Sequence, residues 1–330
     1  MERGRIVALP FSFVAFHLYT NYDKIILTQV NRRYFMFDRL KANILFNRLF
    51  KRPDINKAYA MVDETDSWYD TISTVHKSLK EIHNRPHEII EIISHDNLKL
   101  KGVYYHNNSN VTVICVHGYT SHAEREWAFP GLFYLSLGYN VLIPYQRTHG
   151  LSEGKYIAFG ALESKDMKLW VDKVNKMNPN SNIIIHGLSM GGGITLYLAN
   201  NKLDNVKCLI SDAPNTSIYE FYKNSPTWFF KSKFDNPSKI SKIMLDKFNK
   251  EFKVDIKEYD AIKTVSSSNY DILLSAGSNE HLEELFETLK KANPKETDII
   301  ILPGCNHGNG MYKQTKLYQD KIKEFINKHL

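Results

Sequence analysis

Residues 182–193, NIIIHGLSMGGG, decide the fold of this 330-residue chain. The apolar run Asn182–His186 predicts a buried β-strand, and a helical pattern follows from Gly191 to Asn200. Between them, residues 187–191 have the form Gly-x-Ser-x-Gly. So tight a strand-to-helix turn needs small residues around its serine, because larger ones would collide with the strand and the helix. The stretch therefore predicts that Ser189 is a nucleophile on a sharp turn.

A glycine-rich turn can instead bind phosphate. The phosphate-binding patterns Gly-x-x-x-x-Gly-Lys-Ser/Thr and Gly-x-Gly-x-x-Gly are not found in this turn. The three cysteines, Cys115, Cys208 and Cys305, are too scattered for a disulfide framework or a four-ligand zinc site. We therefore predict neither an organic cofactor nor a metal.

Outward from this turn, apolar runs alternate with helical patterns. Strands that are buried on both faces and separated by helices predict a mostly parallel, doubly wound α/β sheet. The two leading strands could form an antiparallel hairpin at its edge. The predicted strands are Glu88–Ser94, Leu98–Tyr105, Val111–Val116, Asn140–Ile143, Asn182–His186, Val206–Ser211, Tyr270–Ser275 and Asp298–Leu302. The predicted helices among them are Glu124–Leu137, Leu162–Met177, Gly191–Asn200, His281–Lys291 and Gln314–His329.

A serine hydroxyl becomes a good nucleophile only when a base removes its proton. Among 13 histidines, His307 follows the last predicted strand, from where an imidazole could reach across the carboxyl edge of the sheet. It is our predicted base. His117, His149 and His186 are interpreted as structural or rim residues.

The carboxylate that orients this imidazole should follow an intervening strand. Glu280 comes after the strand Tyr270–Ser275 and is the predicted acid. It could equally be an N-terminal acid of the following helix, stabilised by the helix dipole. The rival acid is Asp212, directly after the strand Val206–Ser211.

An oxyanion hole needs backbone N–H groups close to the nucleophile. Residues His117–Thr120 follow the strand Val111–Val116, and Gly118 would let the backbone approach a substrate oxygen. The N–H groups of Tyr119 and Met190 are the predicted donors.

These motifs resemble the α/β-hydrolase superfamily, and more closely the bacterial serine hydrolases grouped with S33 peptidases and monoglyceride-lipase-like esterases. The resemblance covers about residues 86–330 and includes the family order of serine, acid and histidine. It implies an α/β-hydrolase fold with a cap inserted at about 214–268. One departure concerns the acid, because relatives more often have Asp followed by Val-Pro, whereas Glu280 precedes His281-Leu282.

The cap region, Pro214–Ser268, contains no clear pattern of elements and is predicted to be irregular. Its aromatic side chains suit an apolar acyl or aromatic substrate group beside Ser189, or form the core of the cap itself. They are Phe221, Tyr222, Trp228, Phe229, Phe230, Phe234, Phe248, Phe252 and Tyr259.

Residues 1–85 are predicted to form a basic, mostly helical extension. The formal net charge of the chain is +7, and residues 1–60 hold eleven basic and four acidic residues, which accounts for the whole excess. A nucleic-acid partner is therefore not expected. The extension contains the apolar run Ile6–Tyr19, the run Lys24–Phe50 with apolar residues at helical spacing, and a predicted helix around Trp68–Leu79. It either packs on the main domain or, through residues 1–60, binds an anionic membrane.

The predicted reaction is hydrolysis of a carboxylic ester through an acyl-enzyme, on a small-molecule substrate. The alternatives are a peptidase or amidase, an acyltransferase, and a non-catalytic binding protein with the same fold. The small number of cysteines and the lack of a convincing signal-peptide cleavage site predict a cytoplasmic protein. If the extension binds lipid, the protein is expected at the membrane surface.

Overall fold

A computed structural model describes residues 34–52, 68–229 and 237–330. Its centre is an eight-stranded sheet in the order β1-β2-β4-β3-β5-β6-β7-β8. The strand β2 is antiparallel to both β1 and β4, and the other neighbouring pairs are parallel. The strands are β1 Glu88–Ile93, β2 Lys99–Tyr105, β3 Val111–Val116, β4 Asn140–Pro144, β5 Asn182–Leu188, β6 Val206–Asp212, β7 Asp271–Gly277 and β8 Thr297–Leu302. The predicted α/β sheet and its edge hairpin are confirmed.

The helices lie before, between and after these strands. Within the described residues, none is both long and apolar enough to cross a bilayer. The helices are α1 Tyr34–Phe50, α2 Ile72–His83, α3 Ala123–Ser136, α4 Glu163–Met177, α5 Met190–Tyr197, α6 Ile218–Phe229, α7 Pro237–Phe252, α8 Ala261–Val265, α9 Glu283–Ala292, α10 Gly310–Lys313 and α11 Thr315–His329.

The sheet is covered on both faces, as the apolar runs of its strands require. Successive side chains of a strand point to opposite faces. In β3, Ile114 and Val116 contribute to one buried cluster and Val113 and Cys115 to the other. Because the central strands β3, β5 and β6 are covered on both faces, their polar side chains reach solvent mainly at the ends of the strands, which is where the site lies.

The segment between β6 and β7 is helical in its described part, so the prediction of an irregular stretch over Pro214–Ser268 is wrong. The missed signal is a four-residue spacing of Ile240, Met244 and Phe248, which puts all three on one buried face of α7. Tyr222 of α6 lies against Phe248, with ring centroids 5.7 Å apart. Tyr222 and Phe248 therefore belong to the core of the cap.

Helix α1 packs on this cap, and residues 24–33 of its predicted run lie outside the described residues. The ring of Phe50 is fully buried, 4.4 Å from that of Tyr222 and 5.2 Å from that of Phe248 between centroids. The Lys239 ammonium of α7 lies 2.9 Å from the Asp38 carboxylate of α1. The segment around Ile6–Tyr19 lies outside the described residues.

The residues after α1 hold it to the main domain. The Arg52 guanidinium donates hydrogen bonds of 2.8 Å to the carbonyls of Gly150 and Ser152. The Arg52 N–H donates to the Lys155 carbonyl, and the Ile157 N–H to that of Phe50. Helix α1 is thus fixed at its C-terminal end.

The packing of α1 predicts unequal costs for two substitutions on it. Phe50→Ala should lower the free energy of unfolding by about 3–5 kcal/mol, because it leaves a cavity among aromatic rings. Leu40→Ala, at a side chain that is 52% exposed, should change it by less than about 0.5 kcal/mol. Urea unfolding of both variants measures the difference, and equal small effects would show that α1 is not part of the packed core.

Candidate active site

Ser189 occupies a backbone conformation that few residues adopt. Its φ is 59° and its ψ is −114°, between the end of β5 and the start of α5. A Cβ on Gly187 would collide with the Gly191 carbonyl, and a Cβ on Gly191 would collide with the Val116 carbonyl of β3. Glycine at these two positions is therefore required for the turn to form, as the sequence predicts.

The hydroxyl of Ser189 lies at the start of a chain of two hydrogen bonds. The distance from Ser189 Oγ to His307 Nε2 is 2.9 Å, and the distance from His307 Nδ1 to Glu280 Oε1 is 2.6 Å. Because a carboxylate only accepts, Nδ1 carries the proton and Nε2 faces the serine hydroxyl as an acceptor. The Glu280 side chain is 4% exposed and that of His307 is 24% exposed.

One hydrogen bond fixes the acid within its own loop, and two more join this loop to the loop that carries the imidazole. The second Glu280 oxygen accepts the Gly277 N–H at 2.9 Å. The Asn279 N–H donates to the Cys305 carbonyl, and the Gly304 N–H to the Ser278 hydroxyl, each at 3.0 Å. The distance between Glu280 and His307 is therefore set by backbone contacts.

Asp212, the rival acid, lies in a different network. Its carboxylate accepts hydrogen bonds from the hydroxyls of Ser275 and Tyr318. The distance from its Oδ2 to His186 Nε2 is 3.0 Å, and the hydroxyl of Tyr134 is 2.6 Å from the other nitrogen of that imidazole. Ser275, Tyr318 and His186 are thus the partners of the Asp212 carboxylate, whereas the carboxylate that contacts His307 is that of Glu280.

The histidines assigned to structural or rim positions are all buried, so the rim alternative is wrong. His117, His149 and His186 are each 2% exposed or less. Burial holds the pKa of His117 well below its usual value and lowers that of His149 to about 4, so both imidazoles are neutral. Each is followed directly by a glycine in the sequence, but the sheet and its helices close over them.

The 118–121 turn follows β3 and lies beside Ser189. The Tyr119 N–H makes no hydrogen bond to another described residue, and Met190 opens α5, so its N–H has no acceptor within the helix. The His117 ring fixes the adjoining peptide. Its Nε2 accepts the Gln146 N–H at 3.1 Å, which leaves Nδ1 to donate to the Gly118 carbonyl at 2.8 Å.

Two contacts of this turn were not foreseen from the sequence. The Tyr119 hydroxyl donates to the Leu49 carbonyl of α1 at 2.6 Å. The Glu126 carboxylate of α3 accepts the Gly118 N–H at 2.8 Å. The only sequence signal for Glu126 is an acid in the first turn of the helix after a glycine loop, whereas nothing in the sequence pairs residues 49 and 119.

An aromatic surface adjoins the 118–121 turn. The ring centroid of Phe159 lies 5.2 Å from that of Tyr119 and 4.4 Å from that of Phe221, on which it stacks. Phe159 has a φ of 52°, a strained conformation for an aromatic residue, which its burial stabilises. These three rings therefore form one apolar cluster that includes the Tyr119 side chain of the 118–121 turn.

One cluster among the described residues has the composition of a cation site. It comprises His95, Asp96 and Asp166, away from Ser189. The Arg147 guanidinium contacts both carboxylates, at 3.0 Å from Asp96 and 2.7 Å from Asp166. The guanidinium thus already occupies oxygens of both carboxylates, so we interpret the cluster as an ion-pair network of the fold.

The fold and this site define an α/β hydrolase. Residues 107–302 match the family model described as serine aminopeptidase, S33, and the chain belongs to this family. It is 26% identical over 275 residues to the uncharacterised protein YqkD of Bacillus subtilis, covering 80% of this chain and 85% of that protein.

Solved structures agree with this assignment. The esterase Pf2001 of Pyrococcus furiosus is 26% identical to the chain, with a TM-score of 0.59, and the match covers 77% of this chain and 93% of the esterase. An α/β hydrolase of Vibrio vulnificus matches with a TM-score of 0.58 at 21% identity, covering 85% of this chain and 92% of its own. The latter likeness concerns the fold alone.

Proposed function

We propose that this protein is a serine carboxylesterase that hydrolyses small-molecule esters through an acyl-enzyme. The observation that supports the proposal most strongly is the chain of hydrogen bonds from Glu280 through His307 to Ser189. A hydroxyl, an imidazole whose Nε2 faces that hydroxyl and a buried carboxylate in this order are the elements of nucleophilic acyl transfer.

In the proposed acylation step, Ser189 Oγ attacks the ester carbonyl carbon and His307 Nε2 takes the serine proton. The carbonyl oxygen becomes an oxyanion, which the N–H groups of Tyr119 and Met190 stabilise. When the bond to the alcohol breaks, His307 returns the proton to the leaving oxygen. Glu280 stabilises the imidazolium that exists between these proton transfers.

In the proposed deacylation step, water attacks the acyl carbon of the ester on Ser189, and His307 again takes the proton. Collapse of the second tetrahedral intermediate releases the acid and returns the proton to Ser189 Oγ. The aromatic surface of Tyr119, Phe159 and Phe221 supports an apolar acyl or aromatic group, since these rings adjoin the proposed oxyanion donors.

Ester hydrolysis is favoured over amide hydrolysis and acyl transfer by the likeness to the Pyrococcus furiosus esterase. A series of p-nitrophenyl esters of increasing acyl length, run beside aminoacyl p-nitroanilides, tests the proposal. We expect kcat/KM to rise from acetate towards medium-chain esters, because each buried methylene adds about 0.8 kcal/mol of binding. A higher kcat/KM for the anilides would identify an aminopeptidase, and no turnover of either by folded protein would favour a binding protein.

The proposed acid can be tested against its rival. Glu280→Gln should lower kcat by about 10³-fold or more, because it removes the charge that stabilises the imidazolium and orients the ring. Asp212→Asn should lower kcat by less than about tenfold, while destabilising the fold by about 1–3 kcal/mol through its buried hydrogen bonds. Steady-state kinetics and urea unfolding separate the two effects, and a larger kcat loss for Asp212→Asn would overturn the assignment.

We also propose that the basic extension binds anionic membranes reversibly. Leu40 and Ile44, one turn apart on α1, are 52% and 51% exposed. The single acid of α1, Asp38, is buried and paired with Lys239, so the exposed charges of this segment, such as Arg39 and Lys51, are basic. Each basic residue near an anionic surface contributes about 1 kcal/mol, and the apolar side chains add to this.

Sedimentation with phosphatidylserine vesicles tests the membrane proposal. The protein should pellet at low salt and stay in the supernatant at high salt, because counterions screen the attraction. The double variant Leu40→Glu, Ile44→Glu should pellet less, whereas Leu317→Glu, at a leucine that is 38% exposed on α11, is the matched control. Wild-type protein that stays in the supernatant at low salt would refute the proposal.

A further inference from the structure

Glu126 holds the 118–121 turn at both of its ends. Its Oε1 accepts the Gly118 N–H at 2.8 Å, and the Ser121 side chain also forms a hydrogen bond with its carboxyl group. The two bonds enclose Tyr119 and Thr120, so one side chain from the first turn of α3 fixes the segment that carries the Tyr119 N–H.

This turn needs such support because its backbone is strained. Thr120 has a φ of 52°, the left-handed region that a β-branched residue rarely adopts. Strained residues persist only where their surroundings over-determine the conformation. Without Glu126, the turn would lose its bonds at the Gly118 N–H and at Ser121, and the Gly118 carbonyl would keep only its bonds from the His117 ring and the Ser121 N–H.

The carboxyl group and the nucleophile lie on either side of Gly118. A Cβ added to Gly118 would be 3.3 Å from Glu126 Oε2 and 3.4 Å from Ser189 Cβ. A side chain at position 118 would therefore press on both. Gly118 thus brings the Glu126 carboxyl and the Ser189 side chain close to the same part of the backbone.

The hydrogen bond to Gly118 does not depend on the charge of Glu126. Desolvation raises the pKa of this carboxyl to about 7, while His307 and the bonds from Ser121 and Gly118 act to lower it. The other charged or titratable neighbours are Arg125 and Tyr312, whose hydroxyl approaches the Glu126 main-chain carbonyl at 3.4 Å. Protonated or ionised, the carboxyl keeps an oxygen that can accept the Gly118 N–H.

We propose that Glu126 is a positioning residue for transition-state stabilisation: by bonding Gly118 and Ser121 together, it aims the Tyr119 N–H at the oxyanion. The inference rests on the proposed function, because the oxyanion exists only if Ser189 attacks a carbonyl. Glu126 should therefore affect kcat and not substrate affinity, since an oxyanion forms only in the transition state.

The test compares three variants. Glu126→Ala should lower kcat about 10- to 100-fold with KM within about threefold, somewhat less than the loss of a whole oxyanion donor. Glu126→Gln keeps an acceptor for Gly118 and a donor for Ser121, so its kcat should stay within about threefold of wild type. Glu124→Ala removes a buried carboxyl from the same turn of α3, where it contacts Tyr145 and His83, and should leave kcat unchanged.

A second readout does not need turnover. Amide hydrogen exchange in peptides covering residues 117–121 should be faster in Glu126→Ala than in wild type, and nearly unchanged in Glu126→Gln and Glu124→Ala. Equal kcat losses in Glu126→Gln and Glu126→Ala, or unchanged exchange in Glu126→Ala, would overturn the inference. Absence of esterase activity in the wild type would instead overturn the proposed function, while the exchange result would still report on the turn.

Discussion

The rest of this site depends on the strained backbone of Ser189. Its φ of 59° and ψ of −114° are imposed by a turn in which Gly187, Gly191 and the Val116 carbonyl meet without room for another atom. The turn is held in place because β3 and β5 are neighbours over six residue pairs. Ser189 therefore projects from a rigid part of the sheet, and its partners come from loops that are packed around this fixed point.

Those loops are held by contacts of two kinds. Backbone hydrogen bonds join the Glu280 and His307 loops, so the imidazole is aligned before any substrate arrives. The 118–121 turn is held mainly by side-chain contacts. The His117 ring bonds the Gly118 carbonyl, Glu126 of α3 bonds the Gly118 N–H, and the Tyr119 hydroxyl bonds a carbonyl of α1. Helix α1 thus packs on the cap and also supports the turn beside Ser189. Preorganisation of this kind lowers the cost of reaching the transition state.

The fold class and the residues of the candidate site could be predicted from the sequence, because both depend on local patterns. Buried strands, the Gly-x-Ser-x-Gly turn and loops after named strands place Ser189, Glu280 and His307 at one sheet edge. The cap helices were missed although Ile240, Met244 and Phe248 have helical spacing, since the aromatic residues around them obscured the period. The contacts Tyr119–Leu49 and Glu126–Gly118 depend on tertiary packing and loop geometry, which no local pattern encodes. Burial of His149 and His186 likewise depends on how the elements close over one another.

The central claim is that Ser189, activated by His307, is the nucleophile. Reaction with a fluorophosphonate, followed by intact mass and peptide mapping, tests it most directly, because the reagent captures an activated serine irrespective of the natural substrate. We expect one label per chain, located on Ser189, which is lost in Ser189→Ala and forms much more slowly in His307→Ala. Folded wild-type protein that stays unlabelled, or that carries the label on another residue, would show that Ser189 is not the activated nucleophile.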